Sequence, residues 1–337
     1  MSTKFRRLFA LATLLVLAAC GATEQRVTAT SLAPAPTTPP SSEPAPTMPA
    51  PTTTVTAASP PAVALVDGRL VTFSTVDGQQ TGVQYDSAPG IVGSFSIRRT
   101  SGGIEAYATL ESPDRCQPRI YRIVDGRAHD TGIVGAGPEI SPDGALLAYE
   151  KDNLTRIPVP GFCPWRDLVV RDLSTGVERA WTIPSAQYVR WLAWSSDSRQ
   201  AVIHLGAEAY SGDTFVLDTS SAPAGDLRSV RTPVPGLQAR EWIGRPMSVA
   251  DGVFVAIYCC REPNEGVGIA ESIQFGVVSA SGQLRRIATT KDRLERVLAV
   301  DPSASYILLH DSNNLIRADI DGTNRVSLGG TYENVLW

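Results

Sequence analysis

The stretch Pro138-Glu139-Ile140-Ser141-Pro142-Asp143-Gly144-Ala145-Leu146-Leu147-Ala148-Tyr149 has the pattern of a strand, a tight turn and a second strand. Ser-Pro-Asp-Gly suits a chain reversal, because proline fixes φ early in the turn, aspartate bonds back to the backbone and glycine tolerates positive φ. The apolar run that follows has the length of a short buried strand. The stretch therefore predicts a β-hairpin.

The same hairpin pattern recurs along the chain. Aligned on Asp143, the equivalent positions are Asp197, Asp251 and Ser303, which follow one another at 54, 54 and 52 residues. Thr100-Ser101-Gly102-Gly103-Ile104-Glu105-Ala106-Tyr107 fits the same frame upstream. A period in this range indicates an array of similar supersecondary units.

Each period also contains a second pair of strand-like segments. Residues 167–172 and 177–182 follow the first copy, and residues 315–319 and 325–328 follow the last. Four short strands separated by turn signals are typical of one blade of a β-propeller. No amphipathic helical pattern lies between the strands, so alternating βαβ units are not predicted.

The turn motif resembles a known repeat. W-S-P-D-G followed by an apolar strand is the pattern of the TolB-type propeller; Ser141 to Gly144 match it without the Trp, and Trp194-Ser195-Ser196-Asp197 match it in part. The resemblance spans roughly residues 63–337 and implies an all-β, six-bladed β-propeller over residues 62–337. Propellers host many unrelated functions, so the resemblance concerns the fold.

The end of the chain predicts how the ring closes. Residues 331–337 match residues 188–194, the strand that precedes a turn, but no further strands follow. Segments 62–66, 70–74 and 82–85 would supply the rest of that blade. We therefore expect five whole blades and one split blade closed by the C-terminal strand, which removes exposed sheet edges.

The N-terminal region has the features of an exported, anchored protein. Residues 1–20 have the form of a signal peptide, with basic residues before an apolar run that is short for a membrane span. Leu17-Ala18-Ala19-Cys20-Gly21 resembles a bacterial lipobox, which implies lipid attachment to Cys20 and a place on the outer side of the cytoplasmic membrane, in the periplasm or at the cell surface. The alternative is an ordinary signal peptide with an incidental cysteine.

The composition of residues 21–61 predicts a tether. The segment is rich in Ala, Thr, Ser and Pro, with no apolar periodicity and almost no charge, so it buries too little surface to order itself. We expect a disordered linker; a glycosylated stalk is the alternative.

Four further cysteines lie in the predicted ring. An even number in an exported chain suggests disulfides, and Cys116, Cys163, Cys259 and Cys260 all fall between a second and a third strand of a blade. A Cys116–Cys163 bridge would join adjacent blades, and Cys259–Cys260 would form a vicinal disulfide. Reduced thiols or cross-pairing of the two sets are the alternatives.

Catalytic and cofactor signatures are lacking in the sequence. There is no G-x-S-x-G elbow and no metal-ligand spacing, and the three His are scattered over three blades, so we expect no cofactor and no metal. The net charge of −4 and the lack of a basic stripe argue against a nucleic-acid partner.

A candidate binding face remains. Long connections after second strands contain aromatic and arginine residues, the types enriched at interaction hot spots: Phe162, Trp165, Arg166, Tyr210, Tyr258 and Arg261. Packing of these residues over the ring is the alternative, and the other tryptophans, Trp181, Trp191, Trp194 and Trp242, are expected in blade cores. The sequence thus predicts a lipid-anchored, non-enzymatic propeller that binds a protein or cell-envelope ligand; the alternative is a propeller enzyme of lactonase, sugar dehydrogenase or lyase type with its site in the central channel.

Overall fold

The computed structural model describes residues 60–86, 90, 92–110, 117–155, 166–184, 187–207, 213–238, 241–258, 273–290, 297–311, 314–330, 332 and 334–337. All of them belong to one compact unit, Thr56–Trp337. The predicted signal peptide and most of the predicted tether therefore lie outside the described residues. Within the described part of the chain, no helix has the length and apolar character needed to cross a membrane.

The strands form six sheets of four or five strands, which are the blades of the ring. The first contains β1 (Ala62–Val66), β2 (Arg69–Phe73) and β3 (Gln80–Tyr85). Blade 2 contains β4 (Val92–Thr100), β5 (Gly103–Leu110), β6 (Arg119–Val124) and β7 (Arg127–Val134). Blade 3 contains β8 (Ala136–Ile140), β9 (Leu146–Asp152), β10 (Arg166–Asp172) and β11 (Glu178–Thr182).

The second half of the ring follows the same plan. Blade 4 contains β12 (Gln187–Trp194), β13 (Gln200–Ala207), β14 (Thr214–Asp218) and, after β15 (Gly225–Asp226) and the short helix α1 (Leu227–Val230), β16 (Thr232–Pro233). Blade 5 contains β17 (Trp242–Ile243), β18 (Met247–Val249), β19 (Gly252–Tyr258), β20 (Ile273–Val278) and β21 (Leu284–Thr290). Blade 6 contains β22 (Val297–Val300), β23 (Tyr306–Asp311), β24 (Asn314–Asp319) and β25 (Val326–Ser327), and β26 (Val335–Leu336) follows it. Strand β15 pairs in parallel with β11 at the outer edge of blade 3.

The repeated turn lies between the first and second strands of the blades, as predicted. In blade 3 the Ser141 hydroxyl donates to the Asp143 carboxylate (2.6 Å), which also accepts from the Ala145 amide (2.9 Å). Gly144 takes the left-handed conformation at φ 75°, which favours glycine. The turn is therefore held by its own side chains, which explains why its sequence recurs.

Blades 4 and 6 vary the same chemistry. Ser195 donates to Asp197 (2.6 Å) in blade 4, where Ser198 replaces the glycine at φ 59°. In blade 6 the serine and the aspartate have exchanged places, so Asp301 accepts from the Tyr306 amide (2.6 Å) and from the Ser303 hydroxyl. The exchange explains why the sequence alignment finds a serine in the aspartate position.

The core consists of six hydrophobic clusters, one at each seam between neighbouring blades. In the seam between blades 3 and 4, for example, Trp181 and Trp194 are buried together with Phe215. The alternating faces of each blade thus pack against two neighbours, and burial of this apolar surface is the main term that stabilises the ring. An unbroken set of six seams means that the ring is closed.

The C-terminal strand closes the ring, which confirms the prediction. Strand β26 pairs antiparallel with β1, Val63 opposite Leu336 and Ala64 opposite Val335, so it becomes the inner strand of blade 1. The indole Nε1 of Trp337 donates to the carbonyl of Pro60 (2.9 Å) at the place where other blades have the turn from first to second strand. The chain therefore enters and leaves the ring side by side.

Two sides of the ring can now be defined from the topology. The turn side has the connections from first to second strands, such as 141–145 and 195–199. The loop side has the connections from second to third strands and those between blades. The described part of the chain begins at Pro60, on the turn side. The predicted cysteine-bearing connections lie outside the described residues.

Candidate ligand site in the central channel

The innermost strands of all six blades surround a central channel with two cavities. The turn-side cavity has a volume of about 300 Å³, and the loop-side cavity about 260 Å³. The described residues lining the loop-side cavity are Gly93, Ser94, Phe95, Gly137, Pro138, Glu139, Val189, Arg190, Trp191, Leu192, Arg245 and Asn334. Glu139, Leu192 and Arg245 border both cavities, so they form the wall between them.

A bulge near the loop side of each inner strand shapes this channel. In each of blades 2 to 6, the pairing of the first strand with the second strand shifts register once. Across that shift the first strand has one residue more than the second strand. In blade 4, for example, Val189 faces Leu205 and Trp191 faces His204, which leaves Arg190 as the extra residue. Bulges bend a strand and re-aim its side chains, and they are common next to functional sites.

The bulges are alike in geometry but differ in chemistry. Blades 2 and 3 have Gly93 and Gly137 at the bulge, and blades 4 and 5 have Arg190 and Arg245. All four residues line the loop-side cavity. The small residues leave space on one side of the channel, and two neighbouring blades place positive charge on the other.

Glu139 lies at the centre of this arrangement. Its backbone pairs with Ala148 immediately after the bulge of β8, and its carbonyl accepts from the indole Nε1 of Trp194 (3.0 Å). Its side chain is largely withdrawn from bulk solvent, although the residue is partly exposed in the channel. This desolvation raises the pKa of Glu139 to about 8, while the charge of Arg245 opposes the rise. The carboxyl group is therefore mainly neutral at pH 7, although it borders the open channel.

Arg190 is held by an aromatic stack. Its guanidinium lies 4.4 Å from the ring centroid of Trp191, a cation–π contact, and the Trp191 ring lies 5.1 Å from the ring of His204. The Nδ1 atom of His204 is 2.8 Å from the Thr214 hydroxyl. Burial, followed by the nearby charge of Arg190, lowers the pKa of His204 to about 4, so the imidazole supports the stack as a neutral ring.

A buried carboxylate fixes the backbone beside Arg190. Glu150 Oε1 accepts from the amide of Val189 (2.7 Å), and the Arg166 guanidinium lies 3.5 Å from Glu150 and donates to Asp152 (2.9 Å). Burial raises the pKa of Glu150, and the amide of Val189 and the charge of Arg166 oppose that effect. Arg166, predicted to belong to a binding face, thus stabilises the strand that presents Arg190.

The turn side of the channel has a second group of charged side chains, in which one carboxylate pairs with two arginines. Glu105 is buried and accepts from both Arg98 and Arg122. Burial alone would raise the pKa of Glu105, but the hydrogen bonds and charges of the two arginines outweigh it and lower the pKa. Arg98 also donates to the carbonyl of Asp143 (3.1 Å) and so ties blade 2 to the turn of blade 3.

Most of the residues in the predicted binding face cannot be placed. Phe162, Trp165, Tyr210 and Arg261 lie outside the described residues, as do Cys20, Cys116, Cys163, Cys259 and Cys260. Tyr258 is half-buried and packs over Gly244, against the inner part of its own blade. The binding face and the disulfides therefore stay predictions.

The tryptophan assignments are partly confirmed. Trp181 and Trp194 are buried in the seam between blades 3 and 4. The assignment of Trp191 to a core is wrong, because Trp191 is only partly buried and lines the loop-side cavity. Trp191 and Trp194 are three residues apart in one strand, so they point to opposite faces. For Trp242 only the backbone is described.

The sequence analysis missed Glu139, Arg190 and Arg245 as site residues. One signal was available, since each is a charged residue in the first strand of a blade, close before a turn. Among the described residues there is no group of three or more His, Cys, Asp or Glu side chains arranged to hold a metal ion. What the arrangement offers is positive charge, one neutral carboxyl group and an aromatic wall, which suits ligand binding.

Comparison with known proteins supports the fold. No protein-family model and no curated protein matches the sequence. Among solved structures, TolB from Acinetobacter baumannii is similar with a TM-score of 0.53 and 15% identity over 82% of this chain. This chain spans 65% of that TolB, less than two thirds of its length. At this identity the likeness shows the fold alone, a TolB-like six-bladed propeller.

Two further solved structures show weaker likenesses. A TolB-like protein from Agrobacterium tumefaciens has a TM-score of 0.47 and 17% identity, with 81% of this chain and 90% of that chain covered. The tricorn protease has a TM-score of 0.48 and 11% identity, with 80% of this chain and 29% of that chain covered. The six sheets of the chain themselves define the fold as a propeller, and the function has to be argued from the channel.

Proposed function

We propose that this protein is a lipid-anchored, extracytoplasmic propeller that acts as a non-enzymatic binding scaffold for a protein or cell-envelope ligand, which it takes at the loop side of the channel. The loop-side cavity is the observation that carries the proposal. It is lined by residues of blades 1 to 5 and combines charged, aromatic and glycine positions in one concave site. Concave sites with a few convergent polar groups are where propellers and other folds bind ligands.

The place where the chain enters the ring also favours a ligand site on the loop side. Pro60, the first described residue, lies beside Trp337 on the turn side. The sequence predicts that residues 21–61 form the tether to a lipid on Cys20. A tether that joins the ring on the turn side leaves the loop side, with its cavity and its long connections, free to meet a ligand.

Glu139 favours a second candidate, a propeller enzyme working in the channel. A carboxyl group with a raised pKa in a cavity is the kind of group that serves as a general acid or base. The titratable side chains that the other blades contribute to the channel lining are arginines, which bind and orient rather than exchange protons. We therefore place the enzyme second and separate the two by experiment.

The test uses the full chain and compares membrane fractions, ligand capture and turnover. We expect Cys20→Ala to release the protein from membranes and to abolish labelling by palmitate. We expect Trp165→Ala and Arg261→Ala to weaken cross-linking to envelope partners without changing the melting temperature. Retention of the Cys20→Ala variant in membranes, with no label on the wild type, would overturn the anchor.

Glu139→Gln distinguishes a scaffold from an enzyme. In a scaffold the variant captures its ligand at neutral pH as the wild type does, because glutamine imitates the neutral carboxyl group. An enzyme that uses Glu139 as acid or base would lose turnover in assays of lactone hydrolysis or sugar oxidation. Turnover by the wild type that disappears in this variant would replace the scaffold by the enzyme.

A further inference from the structure

The turn-side cavity has mainly apolar walls. Every blade contributes to it through its innermost strand or a residue next to that strand, and its larger apolar side chains include Ile97, Ile140, Leu192, Met247, Val300 and Leu336. Its volume of about 300 Å³ lies at the lower end of the usual range for ligand sites. A cavity of this size and lining suits a small molecule with an apolar body.

The charged side chains of this cavity differ in how they are paired. Among the described residues, its charged or titratable groups are Arg98, Arg99, Glu139 and Arg245. Arg98 forms a salt bridge with Glu105, and Arg245 already has an interaction partner. Glu139 also borders the loop-side cavity, so it belongs to the floor of this one. Arg99 is therefore the charge whose pairing decides what the cavity can bind.

Arg99 has donor groups that the described part of the protein does not use. Its Nη2 donates to the carbonyl of Pro61, but no carboxylate of the described residues forms a salt bridge with it, and its Nε is buried without a hydrogen-bond partner. Burial lowers the pKa of Arg99, because the guanidinium charge is poorly solvated there. Arginine stays charged in proteins, so an anion beside Arg99 offsets the cost of burying its charge.

Arg99 lies near the mouth of the cavity. It is the second-last residue of β4, which ends on the turn side, and it contacts Pro61 close to the point where the described chain begins. Leu336 and Trp337, at the end of the chain that closes the ring, line the same cavity. A ligand held by Arg99 thus has its charged end at the mouth and its body against the inner strands.

We propose that the turn-side cavity binds a medium-chain fatty acid, whose carboxylate pairs with Arg99 and whose alkyl chain lies among the apolar side chains of the inner strands. The cavity has room for about ten groups of the volume of a water molecule, about 30 Å³ each, which corresponds to an acid of about eight carbons. The inference is separate from the proposed function, which concerns the loop-side cavity and the partner bound there.

Binding stabilises the closed ring. The lining comes from all six blades and includes Leu336 of the closing strand, so the complete site exists only when β26 is paired with β1. A ligand that binds the folded state and not the unfolded chain raises the free energy of unfolding with the logarithm of its concentration. The fatty acid therefore reinforces the structural role of the turn side.

The experiment measures binding of octanoate, hexanoate and the neutral octanamide by calorimetry. All proteins are the full chain with Cys20→Ala, so that no detergent competes for the ligands. Octanoate should bind about tenfold or more tightly than octanamide, the size of a lost charge-assisted hydrogen bond. Hexanoate buries two methylene groups fewer and should bind about tenfold more weakly than octanoate. Octanoate should also raise the melting temperature.

Variants of Arg99 test the contact with the carboxylate. Arg99→Gln should remove the preference for octanoate over octanamide, whereas Arg99→Lys keeps a positive charge and should retain part of it. Arg199→Gln removes a charge from an exposed position on the same side of the ring and should leave the preference unchanged. The two ligands are compared within each variant, so a general loss of stability in Arg99→Gln does not imitate the effect.

Three results would overturn the proposal. The first is no binding of octanoate, or equal binding of octanoate and octanamide, by the parent chain. The second is an Arg99→Gln variant that keeps the full preference for octanoate. The third is hexanoate that binds as tightly as octanoate, which would place the alkyl chain outside the cavity. Each leaves the proposed function standing, because that function is tested by cross-linking to envelope partners.

Discussion

The turn side and the loop side of the channel are formed by the same six inner strands, but they are specified in different ways. On the turn side, blades 3, 4 and 6 use one chemistry: Ser141 with Asp143, Ser195 with Asp197, and the exchanged pair in blade 6. On the loop side the backbone is again repeated, with one bulge in each of blades 2 to 6, but the residue at the bulge differs.

This difference indicates which residues of the ring determine its stability and which determine ligand binding. A repeated turn has to satisfy its own backbone in every blade, so its residues are constrained by local chemistry. In blades 2 to 5 the bulge places one residue toward the channel and leaves the choice of side chain free. Glycine in two blades and arginine in two others produce an asymmetric site on a symmetric frame, so turn-side variants should change stability and loop-side variants should change partner binding.

Removal of residues 331–337 should have the largest effect. The truncated chain lacks β26, which pairs with β1, and it lacks Val335, which is fully buried in the seam between blades 1 and 6. The ring would open and expose a sheet edge, so we expect loss of cooperative folding. Thermal unfolding followed by circular dichroism checks this, and a truncated chain that melts at the wild-type temperature would show that the ends do not close the ring.

Alanine variants of Trp191 and Trp194, which lie on one strand, test the difference between the two sides directly. Trp194→Ala should cost about 3–5 kcal/mol, because a fully buried ring is lost from a seam and the carbonyl of Glu139 loses its indole donor. Trp191→Ala removes a partly exposed ring and should cost about 1 kcal/mol, while it releases Arg190 on the loop side. Urea denaturation measures both losses, and equal losses of stability would erase the difference between the sides.

The two sides also differ in how well the sequence predicts them. The turn depends on residues close in the chain, such as Ser141, Asp143 and Gly144, so its recurrence was visible without a structure, and the likeness of 331–337 to 188–194 predicted the closure. A bulge is defined by the pairing of two strands, and a shift of one residue turns the following side chains to the other face. Arg190 and Trp191 could not be placed in the channel for that reason.

Glu139→Gln should change how stability depends on pH. The carboxyl pKa is raised from 4.5 to about 8 in the folded protein, so between these values the folded state binds more protons than the unfolded state. The free energy of unfolding therefore falls as pH rises through this window, by at most about 1.4 kcal/mol per pH unit, and it levels off above about pH 8. A rise of this size in the pKa corresponds to a total loss of at most about 5 kcal/mol across the window.

The variant lacks this titration, so its stability should stay flatter between pH 5 and pH 8 while the contribution of Glu150 remains in both proteins. Urea denaturation at pH 5, 7 and 9 measures the difference. Parallel curves for the wild type and the variant would mean that Glu139 is ionised in the folded state at neutral pH.

The smallest expected effect is the difference in stability between alanine variants of two glycines that have similar backbone angles. Gly144 on the turn side has φ 75° and Gly137 on the loop side has φ 60°, so alanine at either position costs about 1 kcal/mol or more of backbone strain. At Gly144 the new Cβ would also overlap the guanidinium of Arg98, whereas at Gly137 it meets nothing within 4 Å. Displacing Arg98 loosens its bonds to Glu105 and to Asp143, so Gly144→Ala should be less stable than Gly137→Ala by about 1 kcal/mol.

Binding should show the reverse order. Gly137 lines the loop-side cavity, so the methyl group of Gly137→Ala changes the wall that faces the arginines, while Gly144 contacts neither Arg190 nor Arg245. We expect weaker cross-linking to envelope partners by Gly137→Ala and unchanged cross-linking by Gly144→Ala, measured together with the urea midpoint of each variant. If Gly144→Ala weakens cross-linking more than Gly137→Ala does, the turn side takes part in the partner site, and the division of the channel into a structural side and a partner-binding side fails.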